Sequence, residues 1–410
     1  VGVAPKLPGG TKVARLAWPI ADEKICLDAV LTAGRLVPNG VVSTRSRGVA
    51  AALAGRPVGE VPGLLRRLFP LCGTAHTVAA VTAIETALGL APTPAERAFR
   101  ELMLIAEHAN AVAWRLLIDW PPLLGAAADP RAYAAFLRAS APITAAVERL
   151  HAIGGAPLRP PRAEIAGAAA SLGPMLAGLF PEAADPTLSF DALEAALQSG
   201  ASLPARLIAR ARVDLPAHYG RHDRPLFVSA DADWFAARLA GTPGFSEAPT
   251  LDGRPAEVGP LAALRHPLVG EALAHWGQGL ATRLLAAALD ALVVAGRLRV
   301  AAEHLVDDDP IAVETTRSGR GAGVAETARG PLAYWVEVDG GRVRTLRSVA
   351  PTEWNFHPDG PFRAALDAAP DIADPVAGAR LLAASFDPCV PFEFAIAPSR
   401  RTPTEDMLHA

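Results

Sequence analysis

RRLFPLCGTAHTVAAVTAIE, Arg66 to Glu85, is the stretch on which the reading of this chain turns. Its second half carries small and apolar side chains without the alternation of a strand, which predicts a helix. Cys72 and His76 stand at the mouth of that helix with three residues between them. A thiol and an imidazole at this spacing suit a soft metal. A buried thiol beside an ordinary histidine would look the same. The pair alone leaves both readings open.

Working outward, TVAAVTAIETALGL ends at APTPAER, where Thr93 is placed to cap a second helix with Pro94 in its first turn. That helix runs toward Trp120 with a broad apolar face. Further helices are expected near Pro130–Ile153 and Ala163–Leu179, and a long one over Val269–Leu298. Residues 199–267 are rich in Pro, Arg and Asp and give no firm period beyond one short aromatic element, DWFAARL. Before the bundle, KICLDAVLTAGRLV alternates loosely between Gly-rich breaks. After it, PLAYWVEVDGGRVRTLRSVAP reads as two strands around Asp339-Gly340-Gly341, a hairpin signal. The expected fold class is α+β, a central bundle of long helices between β-containing ends. Its parts are 1–62 (strand-rich), 63–300 (helical, with the variable excursion at 199–267) and 301–410 (α/β, closing the site). That arrangement of the two ends is what would bring Cys72 and Cys389 together.

At 410 residues the chain can bury a large core, and at 51% hydrophobic content it is no disordered protein. A net charge of −3 gives no basic excess for nucleic acid. Three scattered cysteines, Cys26, Cys72 and Cys389, make no disulfide framework and point to a reducing, cytoplasmic setting. The opening VGVAPKLPGGTKVARLAW has Pro and Gly where a targeting helix would be apolar. The best membrane candidate, Ile165–Phe180, is shorter than the roughly 20 residues a span needs and contains Pro174.

Four separated segments resemble one family, the large subunit of nickel–iron hydrogenases. RLFPLCGTAHTVAAVTAIE resembles its first metal motif, Arg-x-Cys-Gly-x-Cys-x-x-x-His before a helix. VAETARGPLAYWVEVDGGRV resembles its Glu-Ala-Pro-Arg-Gly segment with the hairpin that follows. APTEWNF resembles Pro-Ser/Thr-Thr-Trp-Asn, and SFDPCVPFEFA resembles the ending Ser-Phe-Asp-Pro-Cys-x-x-Cys-x-x-His. The resemblance covers roughly residues 10–120 and 265–396 and implies the large-subunit fold.

The departures matter more. Catalytic members of the family hold nickel with four thiolates, two of which bridge to an iron that carries CO and cyanide; soft ligands suit these metals. The resemblance puts Cys72 on the bridging position of the first pair and Phe69 on the terminal one. It puts Cys389 on the terminal position of the last pair and Phe392 on the bridging one. Ala50 in RSRGVA and Ala395 stand where the family binds a structural magnesium, and Ala17 where it has a proton-transferring Glu. Nickel and magnesium are therefore not expected. Arg329, Pro351, Thr352 and His76 match residues kept around the iron, and a guanidinium and a hydroxyl suit cyanide as donors.

This pattern resembles hydrogenase maturation proteins of the HupK/HoxV type. It implies a scaffold that binds Fe(CN)2(CO) transiently through Cys72 and Cys389, with Arg329, Thr352, Pro351 and His76 around the diatomics. Its implied partners are maturation chaperones and, as a second candidate, the hydrogenase large subunit, with neither nucleic acid nor membrane. Two other readings stay open. One is a metal-free paralogue acting in assembly. The other is an active hydrogenase or hydrogen sensor, against which Phe69 and Phe392 stand. Because the chain runs on past Ala395 without the closing histidine, no C-terminal processing is expected. Cys26 reads as a packing residue. His218, His222, His304 and His357 lie in polar stretches and read as surface, and Asp307–Pro310 as a solvated loop.

Overall fold

The computed structural model describes residues 23–32, 34–43, 52–145, 147, 150, 152–154, 159–307 and 318–398. Ala17, Ala50, most of the Asp307–Pro310 loop and the chain beyond Ala395's strand lie outside them.

Strands β1 (Ile25–Thr32) and β2 (Arg35–Ser43) form an antiparallel pair. Helices α1 (Val61–Leu68), α2 (Gly73–Ala87) and α3 (Pro94–Trp114) follow. Of these, α2 is buried along almost its whole length, so the site stretch forms a central core helix. Thr93 caps α3 as the sequence predicts: its hydroxyl accepts from the Glu96 amide, and the Glu96 carboxylate accepts from the Thr93 amide. Next come α4 (Pro130–Thr144), α5 (Arg162–Ala177) and α6 (Phe190–Ser199). No helix among the described residues is long and apolar enough to cross a membrane.

The 199–267 excursion is more regular than its sequence shows. It holds α7 (Leu203–Asp214), α8 (Ala232–Gly241) and the short α9 (Pro260–Ala263). DWFAARL is the core of α8, and Phe235 and Leu239 are buried with Trp354 in a small second core. The expected long helix over Val269–Leu298 is two, α10 (Pro267–Trp276) and α11 (Leu280–Glu303). The break falls at Gly277, whose φ of 75° ends α10; a Cβ there would lie 2.8 Å from the Arg221 guanidinium.

Three antiparallel strands, β3 (Gly319–Thr327), β4 (Gly330–Asp339) and β5 (Arg342–Val349), make the second sheet. The predicted hairpin is there, with Gly340 and Gly341 both at positive φ (56° and 74°) as a two-residue turn requires. β3 lies flat on α2. Added Cβ atoms at Gly319, Gly321 and Gly323 would fall 2.1–2.2 Å from the carbonyl oxygens of Ala87, Ala83 and Ala79. Alternate glycines on the strand thus meet alanines one helical turn apart. The chain ends through α12 (Pro351–Asn355), α13 (Pro361–Asp367), α14 (Pro375–Ser385) and β6 (Phe392–Pro398). β6 pairs parallel with β1, giving the order β2-β1-β6 and joining the first and last described strands in one sheet. The fold is mixed helix and sheet, as expected.

Candidate functional site

The turn that carries Cys72 is pinned from two sides. Cys72 precedes the first residue of α2 and provides no side-chain cap. The cap comes from α3, where the Glu107 carboxylate accepts from the amides of Thr74 (2.7 Å) and Ala75 (3.0 Å). These are amides that a helix leaves without an internal partner. Burial raises the Glu107 carboxyl above its usual range, and the amide bonds offset this only in part. On the other side, a Cβ at Gly73 would lie 2.9 Å from both the carbonyl and the guanidinium of Arg66.

Cys389 stands in the turn between α14 and β6. Its Sγ is 3.1 Å from the Thr352 hydroxyl, and Thr352 follows Pro351 in the buried first turn of α12. Arg329 sits in the β3–β4 turn, 8% exposed. Its Nε donates to the Asp387 carbonyl (2.9 Å) and its Nη2 to the Asp387 carboxylate (3.3 Å). Arg115 donates to the other carboxylate oxygen at 2.7 Å. Burial opposes the Asp387 charge, but Arg115 and Arg329 outweigh it and hold that carboxyl below its usual range. Burial likewise opposes the Arg329 charge. Asp387 first, then Cys389, Cys72 and Asp119, more than compensate. Both thiols therefore lie within electrostatic reach of one guanidinium.

A cleft of about 720 Å³ opens here, with Leu71, Arg115, Asp119, Arg329, Asp387, Cys389 and Phe392 in its walls. Asp119 is an exposed residue of its wall. Desolvation, then the nearby Asp387 charge, push its carboxyl up to about 6.

His76 is placed differently. It is 2% exposed, its Nδ1 lies 2.7 Å from the Tyr334 hydroxyl, and its ring is stacked on Phe69. His76 and Phe69 line a second cavity, of about 610 Å³, and His76 is absent from the walls of the Cys389 cleft. Phe392 packs with Phe356, Phe362 and Phe394. Ala395 is exposed on β6, opposite Asp28 of β1.

Thr352, following Pro351, thus meets Cys389, and Cys389 shares a cleft with Arg329. Cys72 is not among the walls of that cleft and acts on Arg329 electrostatically, while His76 belongs to a separate aromatic group. Sequence reading missed Asp387, Arg115 and Asp119. Asp387 lay in plain view beside Pro388 and Cys389. Arg115 and Asp119 lie in a π-helical turn, Arg115–Asp119, that ends α3, with the Trp120 amide bonded to the Arg115 carbonyl. Wide turns of this kind recur at functional sites, and nothing in the local sequence marks one.

Other readings need correcting. The His222 side chain is buried, 2.8 Å from Glu257, and His357 is 8% exposed with its Nδ1 accepting from the Asp359 amide. His218 and His304 are exposed as expected. Cys26 is half-buried on β1 between the buried Ile25 and Leu27, so it faces away from the core.

The nickel–iron cofactor of the fold family does not fit these residues. Among the described residues no three His, Cys, Asp or Glu side chains are grouped to hold a metal. By the resemblance, Phe69 and Phe392 would stand where thiolates are needed, and a ring cannot replace a thiolate.

Comparison with known proteins agrees on fold and family. The nickel-dependent hydrogenase family matches residues 236–392. The Ni-Fe-Se hydrogenase of Desulfovibrio vulgaris Hildenborough in its reduced state has the same fold at a TM-score of 0.63 and 17% identity, over 88% of this chain and 95% of that one. The reduced, active Ni-Fe-Se hydrogenase of Desulfomicrobium baculatum gives 0.62 and 17%, over 88% and 95%. Much nearer in sequence is the hydrogenase expression/formation protein HupK of Rhizobium leguminosarum bv. viciae, 33% identical over 382 residues, 91% of this chain and 96% of that protein. Hydrogenase expression/formation protein HoxV of Cupriavidus necator is 29% identical over 401 residues, 90% and 97%. At that identity and coverage, on a hydrogenase large-subunit fold, the chain belongs to the HupK/HoxV family of hydrogenase expression/formation proteins.

Proposed function

We propose that this chain serves hydrogenase maturation as a carrier, holding the fragment Fe(CN)2(CO) as cargo between its source and the hydrogenase large subunit. The observation that carries the reading is the Cys389 cleft, where Cys389 lies beside the Thr352 hydroxyl and shares the walls with the buried, Asp387-held Arg329 guanidinium and Phe392. Two soft ligands would hold iron through sulfur, each thiol giving up its proton as the metal binds. Asp387 fixes the plane of Arg329 so that the guanidinium presents positive charge to the anionic cyanides. The Thr352 hydroxyl supports the Cys389 sulfur. A carrier must also release, and two protein ligands give a faster off-rate than four.

Maturation chaperones are the proposed donors and the large subunit the proposed acceptor. Hydrogen turnover is not part of this reading. The names of the HupK and HoxV relatives support a formation role rather than a catalytic one.

The test is an infrared spectrum of the protein produced anaerobically with the maturation machinery, beside Cys72→Ala. Bands of metal-bound CO and cyanide are expected in the parent and absent from the variant. No bands in either, with cofactor synthesis active in the same cells, would replace the carrier by a metal-free assembly partner.

A further inference from the structure

Behind the Cys389 cleft a line of charges continues inward from Asp387. Arg115, Asp387 and Arg329 belong to the cleft walls; His108 of α3 and Asp290 of α11 stand one contact further back. His108 and Arg115 lie about two turns apart along α3 and its π-helical end. Both reach one oxygen of Asp290, the His108 Nε2 at 2.8 Å from Oδ2 and the Arg115 Nη1 at 3.6 Å. Asp290 is 1% exposed. Burial opposes its charge, but His108 first, then Arg115 and Arg297, outweigh it and hold the carboxyl below its usual range. A carboxylate only accepts, so the His108 Nε2–H donates to it. The Arg115 Nη1 donates to the Ala287 carbonyl as well, at 3.3 Å. Its other arm, Nη2, donates to Asp387 Oδ2 at 2.7 Å. That oxygen is shared: the Arg329 Nε lies 3.2 Å from it, while the Arg329 Nη2 donates to Oδ1 at 3.3 Å.

Asp387 therefore serves two guanidiniums that compete for it. A guanidinium fork pairs best with both oxygens of one carboxylate, through two parallel N–H bonds. Arg115 does not pair so with Asp387, because its other arm is engaged on α11. We infer that His108 and Asp290 are positioning residues of the carrier site: they hold Arg115 on α11, so that Asp387 stays available to orient Arg329 in the cleft it shares with Cys389. The proposal deepens the carrier reading and rests on it. Released from Asp290, Arg115 would close on both oxygens of Asp387 and displace the Arg329 Nη2 from Oδ1. His108 keeps Asp290 in place and ionised, since a buried carboxylate needs its partners. A change at either residue thus reaches the cyanide-facing guanidinium without altering a wall of the cleft.

The experiment reads the field at Cys389 in the cargo-free protein. In the full chain carrying Cys26→Ala and Cys72→Ala, the Cys389 thiol is cyanylated to a thiocyanate, whose nitrile stretch responds to nearby charge and hydrogen bonding. Arg329→Gln gives the band position of a cleft without the guanidinium. Asp290→Asn should shift the band from the parent's position toward that one. His108→Leu should shift it in the same direction, and His108→Gln, which keeps an N–H donor for Asp290, should restore it. Glu257→Gln breaks a different buried ion pair, with Arg283; it should lower the melting temperature and leave the band in place. If Asp290→Asn fails to fold, His108→Leu and His108→Gln decide. An unmoved band in the folded variants at 290 and 108, an equal shift in Glu257→Gln, or a band that ignores Arg329→Gln overturns the inference. The carrier reading fails separately, on absent infrared bands of metal-bound CO and cyanide, which this label does not involve.

Discussion

Asp387 accepts from both Arg115 and Arg329, so replacing its carboxylate strands two buried guanidiniums at once. It also holds a positive φ of 49°, which asparagine tolerates almost as well as aspartate. Asp387→Asn therefore removes charge with little added backbone strain. It should cost about 3–5 kcal/mol, the range for uncompensated buried ions. The measurement is the urea midpoint, and a midpoint within error of the parent's would show that the two arginines find other partners. At this scale the sequence was partly legible. Cys389 and Arg329 are marked by the segments around them, whereas Arg115 looks like any charge on a long helix. What singles it out is contact with residues far along the chain, Asp387 and Asp290.

The contact of α2 with β3 sets where the Cys72 end of the helix lies. Because Gly321 faces the Ala83 carbonyl with no room for a methyl group, Gly321→Ala must push strand and helix apart. A loss of about 3 kcal/mol is expected, at the upper end for overpacking. Gly270→Ala in α10 is the control. It has open space around it, so helix propensity should make it stabilising by about 0.5–1 kcal/mol. Thermal melts of the two variants compare crowding with propensity directly, and equal shifts would refute the close approach. The hairpin after β3 could be read from Asp339-Gly340-Gly341 because a tight turn is a local device. β3 itself could not, since its glycines make sense only against the helix they touch.

For the molecule as a whole, Glu257 ties the 199–267 excursion to α11. Its carboxylate accepts from Arg283 (2.8 and 3.0 Å) and Gln278 (3.0 Å) and lies 2.8 Å from His222. Burial opposes its charge, but Arg283 and His222 prevail and hold it at about 2, below the ordinary 4.5. A lowered carboxyl stabilises the fold above its ordinary value, and that contribution is lost as pH falls from about 4.5 toward 2. His222 acts in the same sense. Burial lowers its pKa, so acid favours the unfolded chain, where the imidazole protonates freely. Glu257→Gln should lower the neutral-pH melting temperature, corresponding to about 3 kcal/mol. The gap to the parent should narrow in acid, and a gap constant with pH would refute the linkage. The sequence by itself determined the α+β class, the capped α3 and the β4–β5 hairpin. Each of these is written in neighbouring residues or in a residue's own chemistry. Only the tertiary structure decided that α10 and α11 are separate, that β6 joins β1, and that Arg115, Asp119 and Asp387 share the Cys389 cleft with Arg329. It also decided that His76 faces Tyr334 and Phe69. Charges and rings buried together gain or lose energy through partners hundreds of residues away, and no local pattern records those partners.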